Sequence, residues 1–355
     1  LLEGYWTNGT YHPPRCRIAS LYVHRVAGSD VSQRLAAAYG FQIHPSIASA
    51  LTLSTGRLKV DGVVVVSEAP GNLVPFDDNP FGEFLRGIVE VFRTSRRSVP
   101  VFNDKQFSSR WPESRWIYDQ SRELRFPLMA GSTIPITFRR PELEFPLETP
   151  LEEAIVVASI PPQHVQSITF HAVELLQALV ERRRGGETGI RRLQLLEGDA
   201  VWRAADEGRW SRALFEAAVS RGPTRSLGAP EKLVARPLAL LLDYNDGFRA
   251  AVVGAAGMIS DFTFAARIQG RHELASTLAY YVTENGNSFS CLVQEVERLM
   301  LTGQAGIPVE RTLLASGVID LMMRSRRQAN GPIDTPELGI SYRPTRSSFC
   351  RGQGS

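Results

Sequence analysis

A chain of 355 residues is long for one hydrophobic core and comfortable for two. Its 43% hydrophobic and 22% charged residues are ordinary globular values, which argues against a disordered or fibrous protein, and a net charge of +3 is too small to point to nucleic acid. No run approaches the roughly 18 uninterrupted apolar residues that span a bilayer, so no membrane partner is expected.

The chain opens at Leu1-Leu2-Glu3-Gly4-Tyr5 without a Met or a signal-like run, so any targeting segment would lie upstream. Ile18 to Val23 is a short β-rich run. Ser29-Asp30 offers an N-cap to a helix over Val31 to Tyr39, which Gly40 closes. A second short helix is expected over Ile47 to Leu53. Val60 to Val66 is then a near-continuous β-branched strand, of the kind covered on both faces of a parallel sheet. After a Pro/Gly/Asn/Asp-rich loop from Ala69 to Pro80, Phe81 to Thr94 has helical apolar spacing. Val99 to Phe102 reads as strand, Glu113 to Leu124 as helix and Pro127 to Ala130 as strand. This alternation predicts βαβ units and a parallel sheet.

After about residue 135 the texture changes. Pro141 to Pro150 reads as a crossing linker. Strands are expected at Ala154–Ser159, Arg191–Leu196, Leu238–Tyr244, Ala250–Val253 and Leu278–Thr283, with a helix near His171–Arg182 and a tryptophan-containing stretch from Trp202 to Ala218. Asn245-Asp246-Gly247 marks a hairpin. An antiparallel sheet with helices on one face follows. Arg182-Arg183-Arg184 reads as a solvated patch flanking a helix. Cys16, Cys291 and Cys350 are too far apart for a disulfide framework or zinc site, which fits a reducing, cytoplasmic setting. The six histidines form no metal-like cluster, and no metal is expected.

Several polar groups stand where an α/β sheet binds its ligands, at the carboxyl ends of strands. Asn103-Asp104-Lys105 follows directly on Val99-Pro100-Val101-Phe102, and Glu68 closes the preceding strand. The plain reading is a solvated turn whose Asp caps the next helix. The chemical reading is a lysine that donates to a hydroxyl or stabilises developing negative charge. His171 and Glu174, three apart on a helix, share one face, so the carboxylate can orient the ring; a buried structural histidine fits the spacing equally well. Arg139-Arg140 reads first as a solvated pair at a domain junction and second as a clamp on substrate hydroxyls. The tryptophans at helical positions read as core.

The order of elements resembles the glucose–fructose oxidoreductase and inositol dehydrogenase family. "SQRLAAAYGF" and "VDGVVVV" are similar to its early helix and its "VDAV" strand, and "VPVFNDKQFSSRWPESRWIYDQSRELRFPLMAG" to the segment carrying a Glu-Lys-Pro motif, with Asp104-Lys105-Gln106 in that place. "FHAVELLQAL" looks like its His-x-x-Asp helix, and "SCLVQEVERLMLTGQAGIPVERTLLASGVIDLMMRSRRQANGPI" like its closing segment. The likeness runs from about residue 17 to 335, though each motif is loose. It departs at Ser167, where the family has an aspartate, at Gln106 in place of proline, and at His24-Arg25 in place of the acidic residue after the second strand. No GxGxxG occurs.

The resemblance implies an α/β chain: a Rossmann-like dinucleotide-binding domain over 1–135, an α+β substrate and oligomerisation domain with an open, mostly antiparallel sheet over 136–340, and a tail over 341–355. Counting back from Ile18 would put the first strand and its glycine turn before Leu1, leaving Leu1–Tyr5 as the end of the first helix and a slot in the sheet. The implied function is NAD(P)-dependent oxidation or reduction of a sugar or polyol-like hydroxyl, with Lys105, His171 and Glu174 catalytic. Glu68, Asn103, Asp104, His24 and Arg25 would line the cofactor, and Arg139 and Arg140 the substrate. His24 and Arg25 tilt the choice from NAD towards NADP. Members pair through the open sheet, so a homo-oligomer is expected. The loop "EAPGNLVPFDDNPFGEF" is long enough to hang over the cleft. The rival reading is a repurposed, non-catalytic relative that binds a carbohydrate-like ligand or a partner subunit.

Overall fold

The computed structural model describes residues 1–346 apart from 8, 27, 29, 67–80 and 282–286. Glu68 and most of the long loop expected over the cleft lie outside the described residues. The chain starts with a hairpin, β1 (Tyr5–Thr7) and β2 (Thr10–His12), so Leu1–Tyr5 is not the end of a helix. The hairpin is tied to a late helix, because the buried Glu297 carboxylate accepts from Tyr5 OH (3.3 Å) and from the Arg15 backbone N–H (2.8 Å).

Next come β3 (Ser20–Tyr22), α1 (Ser32–Tyr39), β4 (Gln42–His44), α2 (Ile47–Thr52), β5 (Val63–Val65), α3 (Phe81–Ser95), β6 (Val101–Asp104), α4 (Trp111–Glu123) and β7 (Leu128–Gly131). Local chemistry sets the helix ends. The cap position of α1 is Val31, not the expected Ser29-Asp30, and carries no side-chain cap bond, although Asp30 accepts the Ser32 N–H just before the helix; Gly40 takes φ +72° to close it. Ser46 and Ser49 form a capping box on α2. Pairing is parallel throughout, as the alternation of elements implied, but it falls into two pieces. β3 pairs β4, and β5–β6–β7 form a separate sheet; among the described residues no strand joins β3 to β5.

The second half holds β8 (Phe138–Arg140), β9 (Leu151–Ala158), α5 (Val165–Val180), β10 (Ile190–Glu197), α6 (Asp199–Asp206), α7 (Arg212–Val219), α8 (Pro230–Leu233), β11 (Leu238–Tyr244), β12 (Arg249–Gly254), β13 (Phe262–Ile268), β14 (Ala275–Tyr280), α9 (Asn287–Thr302), α10 (Val309–Arg327) and β15 (Ile333–Asp334). Eight strands form one sheet in the order β15-β10-β11-β12-β9-β13-β14-β8, antiparallel except for β12–β9. The hairpin at Asn245-Asp246-Gly247 joins β11 to β12.

Helices cover both faces of this sheet, not one. Along β9, Ala154, Val156 and Ala158 face the core shared with α5, while Ile155 and Val157 face Trp202, Trp210, Leu214 and Phe215 of the α6–α7 layer. Ala239, Ala251 and Val253 turn to that same second core. Strand alternation puts successive residues on opposite faces, so two apolar faces need two covers. The face expected to receive a second copy is thus occupied by residues 199–233.

α5 is apolar nearly all round and accordingly buried, with α10 also packed on it. α10 in turn reaches the first half. The Trp111 backbone N–H donates to Asp320 Oδ2 (2.8 Å), and a Cβ on Gly317 would fall 2.7 Å from the Trp111 ring. At the end of α5 two of the three residues of the basic triplet are internal, contrary to a solvated patch. Arg182 and Arg183 are buried, Arg182 near Glu144 and Arg183 paired to Glu187 (3.0 Å) and Asp246 (2.7 Å); Arg184 alone is exposed. Cys16 is a free thiol, whereas Cys291 is disulfide-bonded, which the cysteine spacing did not suggest. No helix among the described residues is long and apolar enough to cross a membrane.

Candidate active site at the ends of two parallel strands

β6 and β7 run side by side and end together, Asp104 opposite Gly131. Beyond that point the Lys105 backbone N–H still donates to the Gly131 carbonyl (3.1 Å), with Lys105 at φ +68°. A side chain other than glycine sits in this left-handed region at a cost, and such residues cluster at functional sites. Asn103 holds the turn. It is fully buried, and its Nδ2 donates to the Gln106 carbonyl (2.8 Å). Lys105 and Asp104 are half-buried, and the Lys105 ammonium donates to Asp104 Oδ2 (2.8 Å).

From the other side α5 brings His171 and Glu174. The spacing suggested direct contact between them; instead Ser132, the residue after β7, stands between. His171 Nδ1 lies 2.9 Å from Ser132 Oγ, whose hydroxyl donates to Glu174 Oε2 (2.6 Å) while the Ser132 N–H donates to the same oxygen (3.0 Å). Glu174 Oε1 meets the Thr312 hydroxyl of α10 (3.2 Å). The His171 ring is half-buried and packs edge-on against Phe262. Burial pushes the Glu174 carboxyl up to about 7, against the Ser132 donors, Arg311 and Thr312, which pull it down. The carboxylate approaches the strand end so closely that a Cβ at Gly131 would lie 2.8 Å from Glu174 Oε1, and Gly131 takes φ +124°.

Gly131-Ser132 is therefore the junction at which Lys105 on one side and His171–Glu174 on the other are fastened. Ser132, Gly131 and Thr312 were not legible beforehand. A serine after a short strand has no pattern of its own, and its partner carboxylate is 42 residues away.

The remaining expected residues are placed elsewhere or otherwise engaged. Asn103 spends its amide on the turn. His24 and Arg25 are exposed just past β3, with His24 Nδ1 3.1 Å from Tyr22 OH and its ring against Phe84. Arg139 is not a solvated or substrate-facing group. It is buried, its Nη1 and Nη2 donate to the Leu143 and Pro135 carbonyls (2.8 and 3.0 Å), and burial pulls it down to about 9. Arg140 is exposed, its guanidinium 3.4 Å from the centre of the Tyr280 ring.

No protein-family model and no curated protein matches the chain by sequence. Solved structures do match in fold. GenD2 from gentamicin A biosynthesis, solved in complex with NAD, is 13% identical, over 91% of this chain and 90% of its own, with a TM-score of 0.59. A myo-inositol dehydrogenase from Corynebacterium glutamicum is 11% identical, over 90% and 91%, with a TM-score of 0.51. An aldose–aldose oxidoreductase from Caulobacter crescentus, complexed with glycerol, is 12% identical, over 90% and 91%, with a TM-score of 0.50. The chain has the fold of these proteins, at a distance where fold alone is shared.

Proposed function

We propose that this chain is an oxidoreductase acting on a sugar or polyol-like hydroxyl with a nicotinamide dinucleotide. The observation that supports this reading best is that the Lys105 backbone N–H and the His171–Ser132–Glu174 chain are both tied to Gly131-Ser132, at the carboxyl ends of parallel strands. The solved structures sharing the fold lend it direction, since they include a myo-inositol dehydrogenase, an aldose–aldose oxidoreductase and a complex with NAD.

In this reading His171 takes the hydroxyl proton through Nε2, the ring nitrogen not turned to Ser132. The Lys105 ammonium polarises the same oxygen, and Asp104 steadies Lys105. The cofactor supplies hydride acceptance at the nicotinamide ring. The residues at hand fit that end of it: an ammonium, an imidazole and a turn in which Asn103 Oδ1 and Gln106 Nε2 are buried with polar capacity unused. The diphosphate end is less well served, because among the described residues no strand–glycine turn–helix presents amide groups to it. Exposed His24 and Arg25 past β3 suit a 2′-phosphate better than a carboxylate would, which favours NADP.

Titration calorimetry with NAD⁺ and NADP⁺, followed by absorbance of reduced nicotinamide over a panel of aldoses and polyols, tests the reading. Weak binding with NADP⁺ ahead, and turnover of at least one polyol, supports it. No binding of either nucleotide and no turnover would replace it with a non-catalytic carbohydrate-binding role.

A further inference from the structure

A serine hydroxyl has one proton to give. Ser132 gives it to Glu174 Oε2, so toward His171 it can only accept, and the neutral ring must then carry its proton on Nδ1 and keep a lone pair on Nε2. If a proton arrives at Nε2, the chain has a way to pass it on without leaving charge on the ring. Nδ1–H transfers to Ser132 Oγ as Oγ–H transfers to Glu174 Oε2. Afterwards Glu174 is neutral, Ser132 donates to Nδ1, and His171 holds its proton on Nε2. One proton has moved from the substrate oxygen to a carboxylate, and each bond broken is matched by one formed.

We propose that Ser132 is a proton relay between His171 and Glu174, so that the buried carboxylate, and not the imidazole, keeps the proton taken from the hydroxyl. The inference rests on the proposed hydroxyl oxidation for its purpose, though not for its geometry.

The surroundings accommodate both states. Besides His171 of α5, the groups facing Glu174 are Ser132 after β7 and Arg311 and Thr312 of α10. Thr312 Oγ1 has two acceptors in reach, Glu174 Oε1 (3.2 Å) and the Ala130 carbonyl (3.0 Å), so its hydroxyl serves the ionised carboxylate or turns away once that is neutral. Arg311 is paired to Glu181 (2.5 Å), which leaves Glu174 only a share of its charge. A carboxyl held near 7 is matched to exchange with an imidazole.

The test is nitrogen NMR of the His171 ring in the whole chain, assigned against His171→Gln, with kinetics in parallel. In the wild type, lowering pH through neutrality should convert the neutral ring from Nδ1–H to Nε2–H. In Glu174→Gln the amide oxygen must stay under the Ser132 N–H, so Ser132 keeps donating to it and the ring stays Nδ1–H until it becomes imidazolium. Ser132→Ala should lower kcat about tenfold to a hundredfold with KM little changed, and Ser132→Thr should recover most of that. A wild-type ring that passes straight from Nδ1–H to imidazolium, at the same midpoint as in Glu174→Gln, would overturn the relay whatever the activity. A tautomer switch in a protein that oxidises no hydroxyl would uphold the relay and count against the proposed reaction alone.

Discussion

The backbone N–H of Lys105 donates to the carbonyl of Gly131, joining the ends of two parallel strands one residue before the serine that carries His171. Gly131 is the more constrained of the two. At φ +124°, with Glu174 Oε1 2.8 Å from where a Cβ would sit, it has room for hydrogen only. Gly131→Ala should cost about 1–3 kcal/mol and push Glu174 away from Ser132. Chemical denaturation measures the first effect, and loss of the pH response of the His171 ring the second.

Lys105 stores strain of the opposite kind, a long side chain kept at φ +68°. Glycine adopts that conformation freely. Lys105→Gly should leave stability unchanged or raise it by up to about 1 kcal/mol, while kcat/KM falls by about 10²–10³. A variant that is both less stable and fully active would show that the ammonium serves the fold.

Glu174 makes stability depend on pH with a definite sign. Its folded value, about 7, stands above the ordinary carboxylate value of 4.5, so the folded state holds the proton more tightly. The stabilisation is complete below about 4.5 and is lost as pH rises towards 7. At about 1.4 kcal/mol per unit, the loss attributable to this group approaches 3 kcal/mol. Denaturant titrations at several pH values should show Glu174→Gln gaining on the wild type across that window; parallel curves would contradict the assignment.

Arg311 and Glu181 are both fully buried and doubly hydrogen-bonded, and Tyr342 OH adds a third bond to Glu181 (2.8 Å). Removing one partner strands the other charge. Glu181→Gln should cost about 3–5 kcal/mol, and the double change Arg311→Met with Glu181→Leu markedly less than the two single changes summed. A double-mutant cycle followed by thermal unfolding decides this.

What could be read beforehand was whatever leaves a local period. β5, β6 and β7 showed as short, near-continuous apolar runs, the helices between them by their helical apolar spacing, and α1 in its closing glycine. β13 was missed because Phe262–Ile268 mixes small residues with Thr and Arg and carries no turn signal. The basic triplet misled because a charge run is read as solvated unless its acids are visible: Glu187, four residues past Arg183, was in view, but Glu144 and Asp246 lie far along the chain from Arg182 and Arg183. The second helical layer was misjudged for a similar reason. Trp202 and Trp210 announced a core, but nothing local said which sheet face they would cover. At the site, Lys105, His171 and Glu174 stood out by residue type and position, whereas the groups that fasten them, Gly131, Ser132 and Thr312, are small residues known only by what folding brings to them.

In the proposed reaction Lys105 and His171 act on one hydroxyl whose carbon gives up a hydride. The most direct measurement incubates the protein with NADP⁺ and polyols deuterated at the carbinol carbon, then reads the reduced nicotinamide by mass spectrometry. Deuterium should appear in the nicotinamide with the wild-type chain and fall at least a hundredfold with Lys105→Ala or His171→Ala. Deuterium transfer that persists undiminished in both variants, or that never occurs in the wild type, would rule out this reaction for Lys105 and His171.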